Sequence, residues 1–125
     1  MKLFIIFLLT SISLMAQVPM SVVTDNGETE SATLELNGLH VVGIDVSADF
    51  NADSIYVITS SSKAGTYERV YRAEDGTPVG FPAVAGRFYR LLPTDYYLFE
   101  KYIKLEHNSA ADADQTHTVY LGNYN

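Results

Sequence analysis

The sequence predicts an all-β fold, an antiparallel β-sandwich of about seven or eight short strands. Three observations predict it. Runs of β-branched and aromatic residues alternate with polar ones at period two, as in Tyr67-Glu68-Arg69-Val70-Tyr71. Turn-forming pairs such as Asn37-Gly38 and Asp75-Gly76 break these runs about every eight to twelve residues. No stretch holds apolar residues at helical spacing, and no internal repeat is visible.

Residues 1–16, MKLFIIFLLTSISLMA, differ from all that follows. Lys2 is a minimal positive start, Leu3 to Leu9 is wholly apolar, and Ala16 is a small residue at a cleavage point. This is the pattern of a secretory signal peptide, too short for a comfortable membrane span. Leu14 departs from the small residue that cleavage prefers at the −3 position. Three readings stay open: cleavage after Ala16, initiation at Met15, or retention of the run. Residues 17–125 then form one sandwich domain.

Gln17 to Val23 is a short apolar lead-in, an edge strand or an arm, because Pro19 cannot sit in mid-sheet. Thr24 to Glu28 is a turn. Ser31 to Leu36 alternates, with Ala32, Leu34 and Leu36 on one face. After Asn37-Gly38, Leu39 to Val46 forms the next strand, with Val42, Ile44 and Val46 inward. Gly43 inside it predicts a bulge or a close backbone approach. Ser47 to Ser54 crosses to a central hairpin over residues 55–71. Its first strand is Ile55 to Thr59, its loop Ser60 to Gly65, and its return Tyr67 to Tyr71. Val79 to Ala85 is a weak strand or loop, since it carries Gly80 and Pro82. Gly86 to Leu91 is a strand, and Pro93 to Tyr97 a one-turn helix or a loop. Phe99 to His107 is a strand with Ile103 and Leu105 on one face and Tyr102, Lys104 and Glu106 on the other. Thr116 to Leu121 closes the sheet, with Val119 and Leu121 inward. Val57, Val70 and Leu91 complete the expected core.

Composition narrows the function classes. Trp is absent, so nine Tyr and six Phe supply the aromatic bulk. Cys is absent too, which excludes disulfides, thiolate metal sites and a Cys nucleophile. The net charge of −7, from scattered acidic residues, argues against nucleic acid as a partner.

No catalytic constellation is visible, so the expectation is a protein that is not an enzyme and takes no cofactor. His40, His107 and His117 show no i, i+2 or i+4 pairing, which favours a structural or exposed role over metal ligation. Ser60, Ser61 and Ser62 lack the G-x-S-x-G frame of a nucleophile elbow. The carboxylate pairs Glu28/Glu30, Glu74/Asp75 and Asp112/Asp114 show no cleft-spanning arrangement. Asp25 to Glu28 and Asp112/Asp114 offer oxygens of the kind Ca²⁺ takes, but without EF-hand spacing; no metal site is expected. Arg87 and Arg90 beside Phe88 and Tyr89, and Lys101 and Lys104 beside Tyr102, fit either of two roles. One is a small anionic or sugar-binding patch; the other, favoured, is a solvent face whose charges pair with Glu68 or Glu106 across the sheet. The candidate interface is Tyr89, Tyr96, Tyr97, Leu98, Phe99 and Tyr102, because Tyr is enriched at interfaces and this segment carries more apolar surface than a free loop should. The lead-in Gln17 to Val23 is placed to add to a neighbour's sheet, and symmetric self-association, a homotrimer for example, would bury both.

From Ala32 to Leu121 the order of parts resembles the small β-sandwich virion structural proteins of tailed bacteriophages. The strand Ala32 to Leu36 is followed by Asn37-Gly38 and then by Leu39 to Ile44. Gly65-Thr66-Tyr67 leads to Val70-Tyr71. Gly86-Arg87-Phe88-Tyr89-Arg90-Leu91 precedes Pro93 and Asp95, and Tyr102-Ile103-Lys104-Leu105 precedes a last strand ending at Leu121. Phe50 and Tyr67 stand where Trp is usual, and the signal-like start is unlike the family. The resemblance implies a jelly-roll-like, galactose-binding-like sandwich without catalytic residues. It implies capsid decoration, a head fibre or a small tail component, located in the virion, with virion proteins or a second copy of itself as partners. The alternative, which the signal-like start favours, is a secreted or surface-attached bacterial module that binds a glycan or another protein.

Overall fold

The computed structural model describes residues 17–96 and 98–123. These hold nine strands: β1 (Val18–Thr24), β2 (Leu34–Glu35), β3 (His40–Asp45), β4 (Ser54–Ser60), β5 (Glu68–Arg69), β6 (Gly80–Pro82), β7 (Phe88–Arg90), β8 (Tyr102–His107) and β9 (Gln115–Gly122). Among the described residues a 3-10 turn lies at Pro93–Asp95. All strand pairings are antiparallel. One sheet has the order β1-β9-β3-β7. The other runs β2-β8-β4-β5, with β6 beside the first half of β4. The chain changes sheet at nearly every connection, and only β4, β5 and β6 follow one another in the same sheet. That alternation is the jelly-roll-like passage of an antiparallel sandwich. The signal-like run of residues 1–16 lies outside the described residues.

The sandwich forms because alternate residues of each strand are apolar and two such faces can bury each other. Ile55 and Val57 from β4 and Ile103 and Leu105 from β8 face Ile44, Val119 and Leu121 of the other sheet in one core cluster. Each of these is at most 2% exposed. Leu34, Leu36, Val42 and Leu91 are buried with them, as the alternation predicts. Val70 is the exception. β5 ends at Arg69, so Val70 sits where the chain leaves the sheet and is only half-buried against the core.

β4 and β5 make the central hairpin, with the loop 61–67 between them. β1 is an edge strand of its own sheet and pairs along its whole length with β9, from Val18 opposite Leu121 to Thr24 opposite Gln115. Pro19 is tolerated because β1 is bonded on one side only. Gly43 does what its position suggests. The β3–β9 register shifts between Val41 and Gly43, so Val41 and Val42 are both buried. A Cβ at Gly43 would lie 2.5 Å from the Phe88 ring, which packs on the bare backbone.

Candidate functional site

β6 and β7 are edge strands of opposite sheets. The gap between them is a cleft of about 210 Å³. Val57, Val79 and Leu91 line its depth. Val57 is a wholly buried core residue, so the cleft reaches the core at the sandwich's open side. Phe81 and Tyr89 close one wall, their rings stacked 4.4 Å apart and 25° from parallel.

The other wall is an ion pair. Arg72 donates from Nε to Asp95 Oδ1 at 2.9 Å and from Nη2 to Asp95 Oδ2 at 2.6 Å. Its Nη1 donates to Thr77 Oγ1 and to the Pro78 carbonyl, at 3.0 and 3.3 Å. Asp95 is 2% exposed, at the end of the 3-10 turn. The fork geometry of the guanidinium thus ties that turn to the 72–78 turn. The Asp95 contact also raises the Arg72 pKa. A second hollow shares Arg72, Leu92 and Asp95 and continues to Leu98. Leu92, 58% exposed, marks the boundary between the two.

The six candidate interface residues do not gather into one patch. Tyr89 stacks in the cleft wall, and its hydroxyl accepts a hydrogen bond from the Val84 N–H at 2.8 Å. Tyr96 is a core residue rather than an interface ring. The 3-10 turn carries it back over the core edge, where it is 5% exposed. Phe99 is half-buried against the core. Tyr102 lies on the outer face of the five-stranded sheet, with Lys101 Nζ 5.6 Å from its ring centroid. Leu98 is exposed beside the second hollow. Tyr97 lies outside the described residues.

The charged residues divide between two faces. On the outer face of the five-stranded sheet, Arg69 sits 3.9 Å from the Tyr56 ring and pairs with Glu106 at 2.6 Å. Lys104 lies over Tyr67 and reaches Glu30 at 3.4 Å. Lys104 thus lies on a paired solvent face as expected, but its partner is Glu30, and Glu106 is taken by Arg69 instead. Arg87 and Arg90, at the β7 edge, are exposed, and among the described residues neither forms an ion pair.

A feature that residue spacing did not reveal lies between the sheets. His107 of β8 and His117 of β9 face each other with their Nε2 atoms 2.9 Å apart, both almost wholly buried. The Ser47 N–H donates to His117 Nδ1 at 3.0 Å, so His117 carries its proton on Nε2. His117 therefore donates to His107 Nε2, and His107 carries its proton on Nδ1. Among the described residues that Nδ1 finds no partner. Thr24 Oγ1 lies 3.3 Å from His107 Nε2, and the Phe50 ring meets both imidazoles edge-on. Burial, with the neighbouring His107 second, lowers the His117 pKa to about 4; burial lowers that of His107 as well. Two neutral rings without a third ligand form a tie across the sandwich. The local signal was strand parity. His107 continues the inward series Ile103, Leu105, and His117 leads the series Val119, Leu121.

The two oxygen-rich segments do meet. The Asn26 N–H donates to Asp114 Oδ1 at 2.9 Å, and Gly27 and Glu28 exchange backbone bonds with Ala111. These bonds fasten one turn to the other. Among the described residues no three His, Cys, Asp or Glu side chains cluster in a way that could hold a metal ion. Among the same residues no helix is long and apolar enough to cross a membrane.

No protein-family model matches the sequence, and no curated protein matches it. Among solved structures, the fold is similar to that of the SPBc2 prophage-derived protein YomS, with a TM-score of 0.51 and 10% sequence identity. The likeness covers 86% of this chain and 96% of that one. At that identity what the two chains share is an all-β fold over nearly their whole lengths.

Proposed function

We propose that the chain is a non-enzymatic structural protein of a tailed-phage virion, a capsid decoration, head fibre or small tail component, that acts through protein–protein contacts. The observation that carries this reading is the fold likeness to a prophage-derived protein across 86% of the chain. The order of turns and core strands from Ala32 to Leu121, similar to that of small virion proteins, supports it independently. So do the exposed Leu92 and Leu98 beside the edge cleft, since apolar side chains grouped at a cleft suit a partner better than water. The working location is the virion, and the partners are other virion proteins or further copies of the chain. The test is mass spectrometry of density-purified particles from a producing strain, with co-sedimentation of the purified protein on empty capsids and on tails. Stoichiometric presence on particles is expected. A chain absent from particles that sediments with neither heads nor tails would overturn the assignment.

The signal-like residues 1–16 favour a second reading, a secreted or surface-attached module that binds a glycan or protein. Phe88, 51% exposed and edge-on to Tyr120, offers a ring on which a sugar could stack. Specific retention of a soluble glycan, together with a secreted chain beginning at about Gln17, would replace the virion reading.

A further inference from the structure

We propose that the free edge of β7, together with the cleft beside it, is an acceptor site for one extended peptide strand. That strand would present an aliphatic side chain to the cleft and an acidic residue to Arg90. The inference names the surface through which the proposed protein contacts run, and rests on that reading for the source of the peptide.

The backbone supplies the first half of the argument. β7 is the last strand of its sheet and pairs only with β3. The Leu91 N–H donates to the Val42 carbonyl, and the Arg87 carbonyl accepts from the Val46 N–H. In an antiparallel ladder the bonded residues alternate, so Tyr89 turns its polar groups to Ile44. Phe88 and Arg90 turn theirs to the open edge. Such a row of unpaired donors and acceptors is a template for another strand.

The side chains supply the second half. A strand added beside β7 would send every second side chain into the sandwich, between the two sheets. The cleft lies there, opening at Leu92 and floored by Val57, Val79 and Leu91. Its volume of about 210 Å³ is ample for one aliphatic side chain. The neighbours of that residue in the added strand would lie on the outer face, level with Phe88 and Arg90. Opposite charges directly across two strands attract. Arg90, exposed on that face, makes no ion pair among the described residues, in a chain whose net charge is −7. Charge therefore selects an acidic strand. It also disfavours a second copy of this edge, which would bring two copies of Arg90 together.

The test uses a fluorescein-labelled nine-residue peptide of alternating threonine and aspartate with one central leucine, and fluorescence anisotropy on the purified protein. Saturable binding is expected, with amide shifts in NMR spectra confined to residues 86–92 and the cleft walls. Replacing the central leucine by alanine should weaken binding by about tenfold or more. N-methylation of the peptide amides that face β7 should abolish it. Arg90→Glu, at an exposed edge position, should weaken the aspartate peptide and favour its lysine counterpart. Four results would overturn the proposal: no binding at millimolar peptide, binding indifferent to the central residue, binding that survives N-methylation, or self-association through this edge that Arg90→Glu abolishes. The last would make the occupant a second copy. A negative result with the protein still present on particles would remove this edge and leave the virion assignment standing.

Discussion

Two neutral imidazoles held Nε2 to Nε2 in the core make stability depend on pH in a defined window. In the unfolded chain each histidine titrates near 6.5, whereas folded His117 titrates at about 4, and folded His107 is shifted the same way. Between those values the unfolded state binds more protons than the folded one, so stability rises with pH. It is fully present above about pH 6.5 and is lost as pH falls toward about 4. For His117 the loss is on the order of 3 kcal/mol across the whole window. Urea midpoints should hold between pH 7.5 and about 6.5 and fall from there to pH 5, before most carboxylates begin to protonate. A flat profile would contradict the buried neutral pair. Arg72 and Asp95 make the second residue-scale prediction. Asp95→Ala would leave the guanidinium without its bidentate partner and open the 3-10 turn. Removing one member of a buried pair costs about 3–5 kcal/mol, and Arg72 retains some access to water, which points to the low end. Equilibrium unfolding of the variant measures it; a cost below about 1 kcal/mol would mean that the pair holds nothing in place.

Among the elements, β3 and β7 are joined by a contact between a glycine and an aromatic ring. Gly43→Ala would place a methyl group 2.5 Å from Phe88 Cζ and 3.2 Å from the Tyr89 carbonyl. The ring can swing toward solvent and the carbonyl cannot, so a cost of about 1–3 kcal/mol is expected. A double-mutant cycle with Phe88→Ala should recover part of it; full additivity would show that the ring does not pack on Gly43. β8 is central to its sheet, between β2 and β4, and Ile103 in it is 1% exposed. Ile103→Ala should cost about 2–5 kcal/mol in a urea titration. β4, β8 and β9 were legible because their alternation continues for six residues or more. β2 pairs over only two residues because the Ala32 N–H donates to the Val23 carbonyl of β1 instead and the Asn37-Gly38 turn follows Leu36, so alternation overstated it. The histidine pair and the Arg72–Asp95 clamp were not legible as contacts. Both join residues of different elements, and their meeting depends on how one sheet lies on the other or one turn on the next. Parity marks His107 and His117 as inward, but nothing local says that they touch.

For the whole molecule, the order of the sheets decides how the chain closes. The four-stranded sheet contains no pair of strands consecutive in sequence, and β1 finds its partner β9 at the far end of the chain. Contacts of such separation form against a large loss of chain entropy, so folding in milliseconds to seconds is expected rather than in microseconds. The same closure makes β1 indispensable although it is an edge strand. Its Val22 and Thr24 are buried, and Thr24 reaches His107. Across the ladder Val22 lies opposite His117 and Thr24 opposite Gln115. Removing residues 1–24 would expose the β9 edge and admit water to the two histidines. The shortened chain should lose the near-ultraviolet circular dichroism of its tyrosines and elute as aggregates, because an uncovered apolar strand pairs with other chains. A monomer with the urea midpoint of the full chain would show instead that the sandwich is complete without β1, and that the cross-sheet histidine tie is protected by the remaining strands alone.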